Sequence, residues 1–225
     1  GFARQLTAAE IFEQVQRVHV ELAAKGERLS NVVLMGMGEP LGNYNNVLTA
    51  VRRMNDEIGI GARHITISTV GLVPRIRRLA EEGLQIKLAV SLHAATDEAR
   101  SAIMPVNLRF PLKELMAACR EYVALTGRRV TFEWALIAGR NDTPDAAHQL
   151  GRLLEGMLCH VNLIPLNPTK GYDGRPTAAA DVKGFVGVLA GYGVVATPRV
   201  RRGIDIDAGC GQLTTKVLGR GGAPI

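Results

Sequence analysis

What this chain lacks narrows its reading first. Nowhere does it approach the roughly 18 uninterrupted apolar residues that a membrane-spanning helix needs. Its opening residues, Gly1-Phe2-Ala3-Arg4-Gln5, offer neither an initiator Met nor the apolar core of a signal peptide. The chain therefore reads as a fragment of something longer. Cysteine is scarce and unpaired in pattern: Cys119, Cys159 and Cys210 are three, far apart, with no C-x-x-C spacing among them. A reducing, cytoplasmic setting is the simplest account. Two nucleotide-binding signatures are also missing, G-x-G-x-x-G after the first strand and G-x-x-x-x-G-K-[ST], so binding of those kinds is unsupported.

What is present is a globular composition, 47% apolar over 225 residues, long enough to bury a sizeable core. The net charge of +6, from 27 basic and 21 acidic residues, favours an anionic partner. The basic residues gather late: Arg199, Arg201 and Arg202 directly precede the stretch Gly203 to Leu213, G-I-D-I-D-A-G-C-G-Q-L. There Cys210 stands between Gly209 and Gly211. Flanking glycines remove bulk and widen the backbone angles available, which suits a thiol offered from a loop to something that approaches closely. A tight turn with an incidental small residue is the alternative.

The pattern along the chain alternates helix and strand with short connections. Thr7 and Glu10 form a capping box, and Ile11, Val15, Val18 and Leu22 recur at helical spacing. Strands are expected at 31–35, 64–69, 85–91, 129–137, 160–164 and 194–197. Helices are expected at 45–54, 73–82, 112–125, 144–156 and 179–192, with an irregular segment between 94 and 111. The strands are continuous apolar runs, the mark of a parallel sheet covered by helices. Open doubly wound sheets and barrels both fit. Polar residues fall at strand exits: Gly38-Glu39, Ser68, Ser91-Leu92-His93, Asn141-Asp142 and Asn167. In barrel-type α/β folds the site is built at these ends, so five such exits suggest one shared pocket. Taken singly, Ser68 also reads as a strand-end cap, His93 as a core histidine, and Asn167-Pro168 as a turn.

Five motifs occur in one order: G-M-G-E-P-L-G-N-Y (36–44), I-S-T-V-G (67–71), S-L-H-A (91–94), V-N-L-I-P-L-N-P (161–168) and the cysteine loop. Together they resemble the radical S-adenosylmethionine RNA methyltransferases of the RlmN family, which modify carbon 2 of adenosine in 23S rRNA and tRNA. The sister Cfr family, acting on carbon 8, is the nearest alternative. The resemblance implies a partial TIM-type (β/α)6 radical SAM barrel over residues 1–200, with its first strand and cluster loop missing. A catalytic-cysteine loop and tail would follow at 201–225. It implies that Gly38 and Glu39 receive the amino group of S-adenosylmethionine, that Ser68, Ser91, Leu92 and His93 line the cofactor, and that Asn167 meets its adenosine part. Cys210 would take a methyl group from one S-adenosylmethionine. A radical drawn from a second would then activate that methyl group for addition to the base. Arg201 and Arg202 would lower the thiol's pKa.

One departure stands out. The motif C-x-x-x-C-x-x-C, which holds the family's [4Fe–4S] cluster, is absent. The resemblance places it just upstream of Gly1, with the second catalytic cysteine and an RNA-binding region. Cys119 and Cys159 are read as buried structural thiols. The fragment alone is expected to be inactive, its parent a monomeric cytoplasmic enzyme reduced by a small redox protein. Two other classes compete: a metal-free RNA-binding module contacting phosphate through Arg199, Arg201, Arg202 and Lys216, and a different α/β enzyme for a small anion.

Overall fold

The computed structural model describes residues 4–35, 38–165 and 177–199. Seven α-helices and six strands alternate through them: α1 (Ala8–Ala24), β1 (Val32–Leu34), α2 (Tyr44–Ile58), β2 (Ile65–Thr69), α3 (Val73–Glu81), β3 (Lys87–Ser91), α4 (Asp97–Ile103), α5 (Leu112–Thr126), β4 (Val130–Leu136), α6 (Pro144–Leu154), β5 (Cys159–Pro165), α7 (Ala179–Gly191) and β6 (Val195–Pro198). The strands follow one another in a single sheet in chain order, β1 to β6. Pairing is parallel, with Val32 opposite Ile65, Ile67 opposite Leu88 and His160 opposite Val195. This is the α/β architecture expected, and parallel neighbours need the helical crossovers that separate them.

The chain divides into two compact units. The first takes the described residues of Gly1–Leu92, Thr96–Phe132 and Met157–Cys159. Its core lies under β2 and β3, whose Ile65, Ile67, Leu88 and Val90 are fully buried. Against them α2 sets Val47, Leu48, Val51 and Met54, α3 sets Ile76 and Leu79, and α5 sets Leu115 and Cys119. Tyr122 is also buried, and its hydroxyl donates to the Ile86 carbonyl at 2.7 Å, so the one polar atom of that ring is satisfied.

Three expectations for this unit change. The helix α1 begins with the expected capping box, but it buries Ile11 and Phe12, while Val18 is 46% exposed. It packs through its first turns, where the Arg53 guanidinium lies 4.0 Å from the centre of the Phe12 ring. Strand β1 is covered on one face only, and Val33 is 52% exposed. Helix α4 stands where irregular chain is expected from sequence. Its seven residues, D-E-A-R-S-A-I, carry no apolar stripe, and the residue that it buries is Arg100. The signal that remained was local: Thr96 caps the helix, its hydroxyl accepting from the Ala99 amide at 3.2 Å, with Asp97 and Glu98 in the first turn.

The second unit takes the described residues of His93–Ala95, Glu133–Gly156 and His160–Ile225. In it Trp134 of β4 packs on Phe185 of α7, ring centres 5.9 Å apart. Leu136, Leu150, Leu154, Val161, Leu163 and Leu189 complete the core. This division interleaves along the chain, and the boundary expected at residue 200 falls where the described residues end. Asn167, Arg201, Arg202, Cys210 and Lys216 lie outside the described residues.

Candidate active site at the strand exits

In the first unit, three neighbouring parallel strands end in loops that carry expected site residues. After β1, Gly38 has φ 110°, and a Cβ built there would meet nothing within 4 Å among the described residues. The backbone angle disfavours a side chain there, and the described residues leave the main chain open to close approach. Glu39 follows in an extended conformation and caps a short 3-10 helix, Pro40–Asn43. Its Oε1 accepts from the Leu41 amide at 3.0 Å and its Oε2 from the Val70 amide at 2.7 Å. The carboxylate thus ties the β1 exit to the β2 exit. An ammonium only donates, so it can still share either oxygen or take the loop's carbonyls.

At the end of β2, Ser68 and Thr69 are both buried. Thr69 Oγ1 accepts from the Gly71 amide at 3.1 Å and folds the loop back on itself. Gly71 has φ 106°, and a Cβ there would stand 3.1 Å from Leu115 Cδ1 and 3.3 Å from an Arg100 nitrogen. After β3, Ser91 is half-buried, whereas the Leu92 side chain is fully buried, so only its main chain can line a site.

Arg100 was not foreseen as part of this region. It is fully buried. Its Nη2 donates to the Val70 carbonyl at 2.7 Å and to the Ser91 carbonyl at 3.1 Å, and its Nη1 donates to Asn107 Oδ1 at 2.9 Å. A lone arginine in a helix with other charges gives no sequence signal of such a role.

The second unit treats its polar residues differently. His93 stands at φ 58°, and its Nδ1 accepts from the Ala135 amide at 3.0 Å. In the neutral ring that bond places the proton on Nε2. The His93 carbonyl accepts from Asn141 Nδ2 at 2.9 Å. The same Nδ2 also reaches the Ala135 carbonyl at 2.7 Å, while Asn141 Oδ1 accepts from the Ile137 amide at 2.8 Å. Asp142 Oδ1 accepts from the Gly139 amide and Oδ2 from the Thr177 hydroxyl, both at 2.8 Å. Asn141 and Asp142 therefore build the β4 exit turn and tie it to the His93 carbonyl and to Thr177.

Within the strands of this unit lies a carboxyl that the sequence reading passed over. Glu133 of β4 is 6% exposed, and Asn162 Nδ2 of β5 donates to its Oε2 at 2.7 Å. Burial pushes its pKa up, opposed by the Asn162 bond and the charge of Arg199. The available signal was a carboxylate in the middle of an otherwise apolar strand, V-T-F-E-W-A-L. A cleft of about 720 Å³ in the same unit is lined by Pro165, Thr177, Val182, Lys183 and Pro198 among others, and none of the expected site residues among the described ones lines it.

The thiols behave as expected. Cys119 and Cys159 are buried, and burial pushes their pKa values up to about 12 and about 11. Such thiols are poor nucleophiles and poor metal ligands. Among the described residues no three His, Cys, Asp or Glu side chains gather as a metal site. No helix among them is long and apolar enough to cross a membrane.

Residues 1–149 match the radical SAM superfamily. The chain belongs to that superfamily. Its curated relatives include a dual-specificity RNA methyltransferase RlmN 1 of Myxococcus xanthus, 58% identical over 219 residues, which are 96% of this chain and 61% of the relative. A probable dual-specificity RNA methyltransferase RlmN of Symbiobacterium thermophilum is 54% identical, over 96% of this chain and 59% of its own length. Among solved structures, a radical SAM methyltransferase from Sphaerobacter thermophilus superposes with a TM-score of 0.90 at 50% identity, covering 94% of this chain and 63% of that one. The chain thus spans about three-fifths of the length of these relatives.

Radical SAM enzymes use S-adenosylmethionine and a [4Fe–4S] cluster. The strand exits of the first unit fit the first of these: an open glycine loop, a carboxylate beside it and two serines at parallel strand ends. The cluster is not matched by the described residues. Their two cysteines are buried with raised pKa values, and they have no third cysteine to join them.

Proposed function

We propose that this chain is the main catalytic part of an S-adenosylmethionine-dependent RNA methyltransferase that methylates carbon 2 of adenosine in 23S rRNA and tRNA through S-methylated Cys210. One observation carries the reading. Glu39, in the loop after β1, is hydrogen-bonded to the loop after β2, in a chain 58% identical to a dual-specificity RNA methyltransferase. Parallel strands converge their carboxyl ends on one mouth, and that is where such folds place chemistry.

The roles follow the chemistry of each group. The Gly38-Glu39 loop holds the amino group of the cofactor by carbonyls and by the remaining lone pairs of a carboxylate already oriented by two amides. Ser68 and Ser91 offer hydroxyls, and Leu92 offers its main chain. His93 supplies its carbonyl and ring edge, and Asn167 pairs with the adenine edge. S-adenosylmethionine, when bound, supplies the methyl carbon. As a thiolate, Cys210 would take that methyl group, its sulfur–carbon bond forming as the cofactor's breaks and S-adenosylhomocysteine leaves, and Arg201 and Arg202 would stabilise the anion. Carbon 2 of adenine is electrophilic and resists ordinary polar methylation, which is why a protein-borne methyl group and cofactor-derived radical chemistry are needed. The cysteine loop and tail, 201–225, form a catalytic appendage to the barrel of residues 1–200. The positive net charge suits an RNA partner. The protein acts as a cytoplasmic monomer supplied with electrons by a small redox protein.

The test is direct. The complete gene product containing this chain is incubated with methyl-labelled S-adenosylmethionine, and peptides are mapped. Label on Cys210, its loss in Cys210→Ala, and 2-methyladenosine in the RNA are expected. An unlabelled Cys210 overturns the role given to it, and 8-methyladenosine overturns the regiochemistry.

A further inference from the structure

The hydrogen bonds of Arg100 reach further than its own helix. We propose that Arg100 is a positioning residue for the cofactor: it sets the spacing of the three strand exits that receive S-adenosylmethionine without touching the cofactor itself. The inference rests on the reading of those exits given above.

The main chain of Val70 is held at both its peptide groups. Its N–H donates to Glu39 Oε2 at 2.7 Å, and its carbonyl accepts from Arg100 Nη2 at 2.7 Å. The same nitrogen donates to the Ser91 carbonyl at 3.1 Å. One guanidinium therefore links the loop of Ser91 to the loop of Ser68, and through Val70 to the carboxylate of Glu39. A planar fork with fixed donor directions can hold two carbonyls at a set separation; an ammonium on a flexible stem cannot do so as well.

The arrangement is a poor one for stability alone. Every hydrogen bond of this fully buried cation goes to a neutral oxygen, from Val70, Ser91 or Asn107. Its Nε is buried with no partner among the described residues. The carboxylate of Asp97 is turned instead to the Asn107 amide at 2.9 Å and the Leu112 amide at 2.8 Å. Burying a charge without an ion pair, and leaving one donor orphaned, is destabilising compared with a well-packed apolar side chain. A residue kept at that cost is explained by what it holds in place. The neighbouring Gly71 agrees, since a Cβ there would press on the Arg100 guanidinium at 3.3 Å.

The experiment compares Arg100→Lys, Arg100→Gln and Asn107→Ala in the complete gene product, cluster-reconstituted under anaerobic conditions. Asn107→Ala removes a neighbour of the same guanidinium but leaves both loop carbonyls bonded, so it reports the structural effect alone. Two readouts are taken: equilibrium dialysis with labelled S-adenosylmethionine, and amide hydrogen exchange. Arg100→Lys is expected to weaken cofactor binding about tenfold and Arg100→Gln more, with Asn107→Ala near wild type despite a lower thermal midpoint. Exchange at Val70 is expected to quicken in both Arg100 variants while Ile67 and Leu88 stay protected. Wild-type affinity in both Arg100 variants overturns the inference, as does an affinity that tracks thermal midpoint across all three. If Arg100→Gln does not fold, Arg100→Lys decides. A wild-type protein that binds no S-adenosylmethionine sinks the functional reading beneath it, whereas unchanged Val70 exchange in Arg100→Lys sinks the positioning role on its own.

Discussion

The strand exits of the first unit and those of the second use polar residues in different proportions, within a turn and between loops. In the first, side chains reach from one loop to the next: Glu39 to Val70, Arg100 to Val70 and Ser91. In the second, Asn141 and Asp142 divide their bonds between their own turn and one partner outside it, the His93 carbonyl and the Thr177 hydroxyl, and Ala135 of β4 also holds the His93 ring. Bonds between loops fix the shape of a mouth, while bonds within a turn fix only that turn. The two sets look alike as sequence, short polar residues after apolar runs. They differ in what their removal should do.

The largest expected effect separates them directly. Glu39→Ala takes the acceptor from two amides and uncouples two loops, so it should cost about 3 kcal/mol, from two bonds to a charged acceptor at about 1.5 kcal/mol each. It should also abolish measurable S-adenosylmethionine binding. Asn141→Ala strips bonds from a half-buried turn and from the His93 carbonyl and should cost about 2 kcal/mol, yet it leaves the Glu39 and Arg100 bonds in place, so cofactor affinity should fall far less than in Glu39→Ala once folded protein is counted. Urea unfolding alongside equilibrium dialysis reads both quantities on each variant. Equal losses of affinity in the two would erase the distinction drawn between the units.

Much of this fold was legible because its signals are local or periodic. The capping box of Thr7 and Glu10 and the apolar faces of α2, α3 and α5 are written in consecutive residues, and the structure repeats them. The site was legible only in its positions. That Glu39, Ser68 and Ser91 follow parallel strands could be read from spacing. That a guanidinium 61 residues beyond Glu39 orders their loops could not, because α4 lacks the apolar stripe that announces a helix. Glu133 was missed for the converse reason. Its strand was so plainly apolar that the single carboxyl in it was absorbed into the pattern, and only the partner Asn162, 29 residues away, shows that it is held. Val18 misled because periodicity gives the face of a helix and not how much of its length is covered.

Glu133 gives the second unit its own test, smaller and dependent on pH. Burial raises its pKa, so the folded state favours the protonated form. Stability from that carboxyl is full below the ordinary carboxylate range and is lost as pH rises through the folded value. Glu133→Gln does not titrate and keeps an oxygen for the Asn162 amide. The variant should therefore match wild type near pH 4 and exceed it in urea midpoint at pH 8. A gap that closes or reverses with rising pH would mean that Asn162 and Arg199 outweigh burial.

The smallest effect belongs to an arginine that looks stronger on paper than Arg100. Arg77 of α3 makes a close ion pair with Glu121 of α5, Nε to Oε2 at 2.7 Å. Both side chains are nearly half exposed, at 45% and 47%. Water already solvates each charge, and holding two long side chains in one geometry offsets most of the attraction, so such pairs contribute about 0.5 kcal/mol or less. Arg77→Ala should move the urea midpoint barely, lose even that shift in high salt, and leave cofactor affinity untouched. Arg100 forms no ion pair in the described residues and lies where no salt reaches it. If Arg77→Ala proved the more damaging of the two, proximity of opposite charges would outrank what a buried donor holds in register, and the contrast between the mouth-forming loops and the rest of the surface would fail at its weakest point.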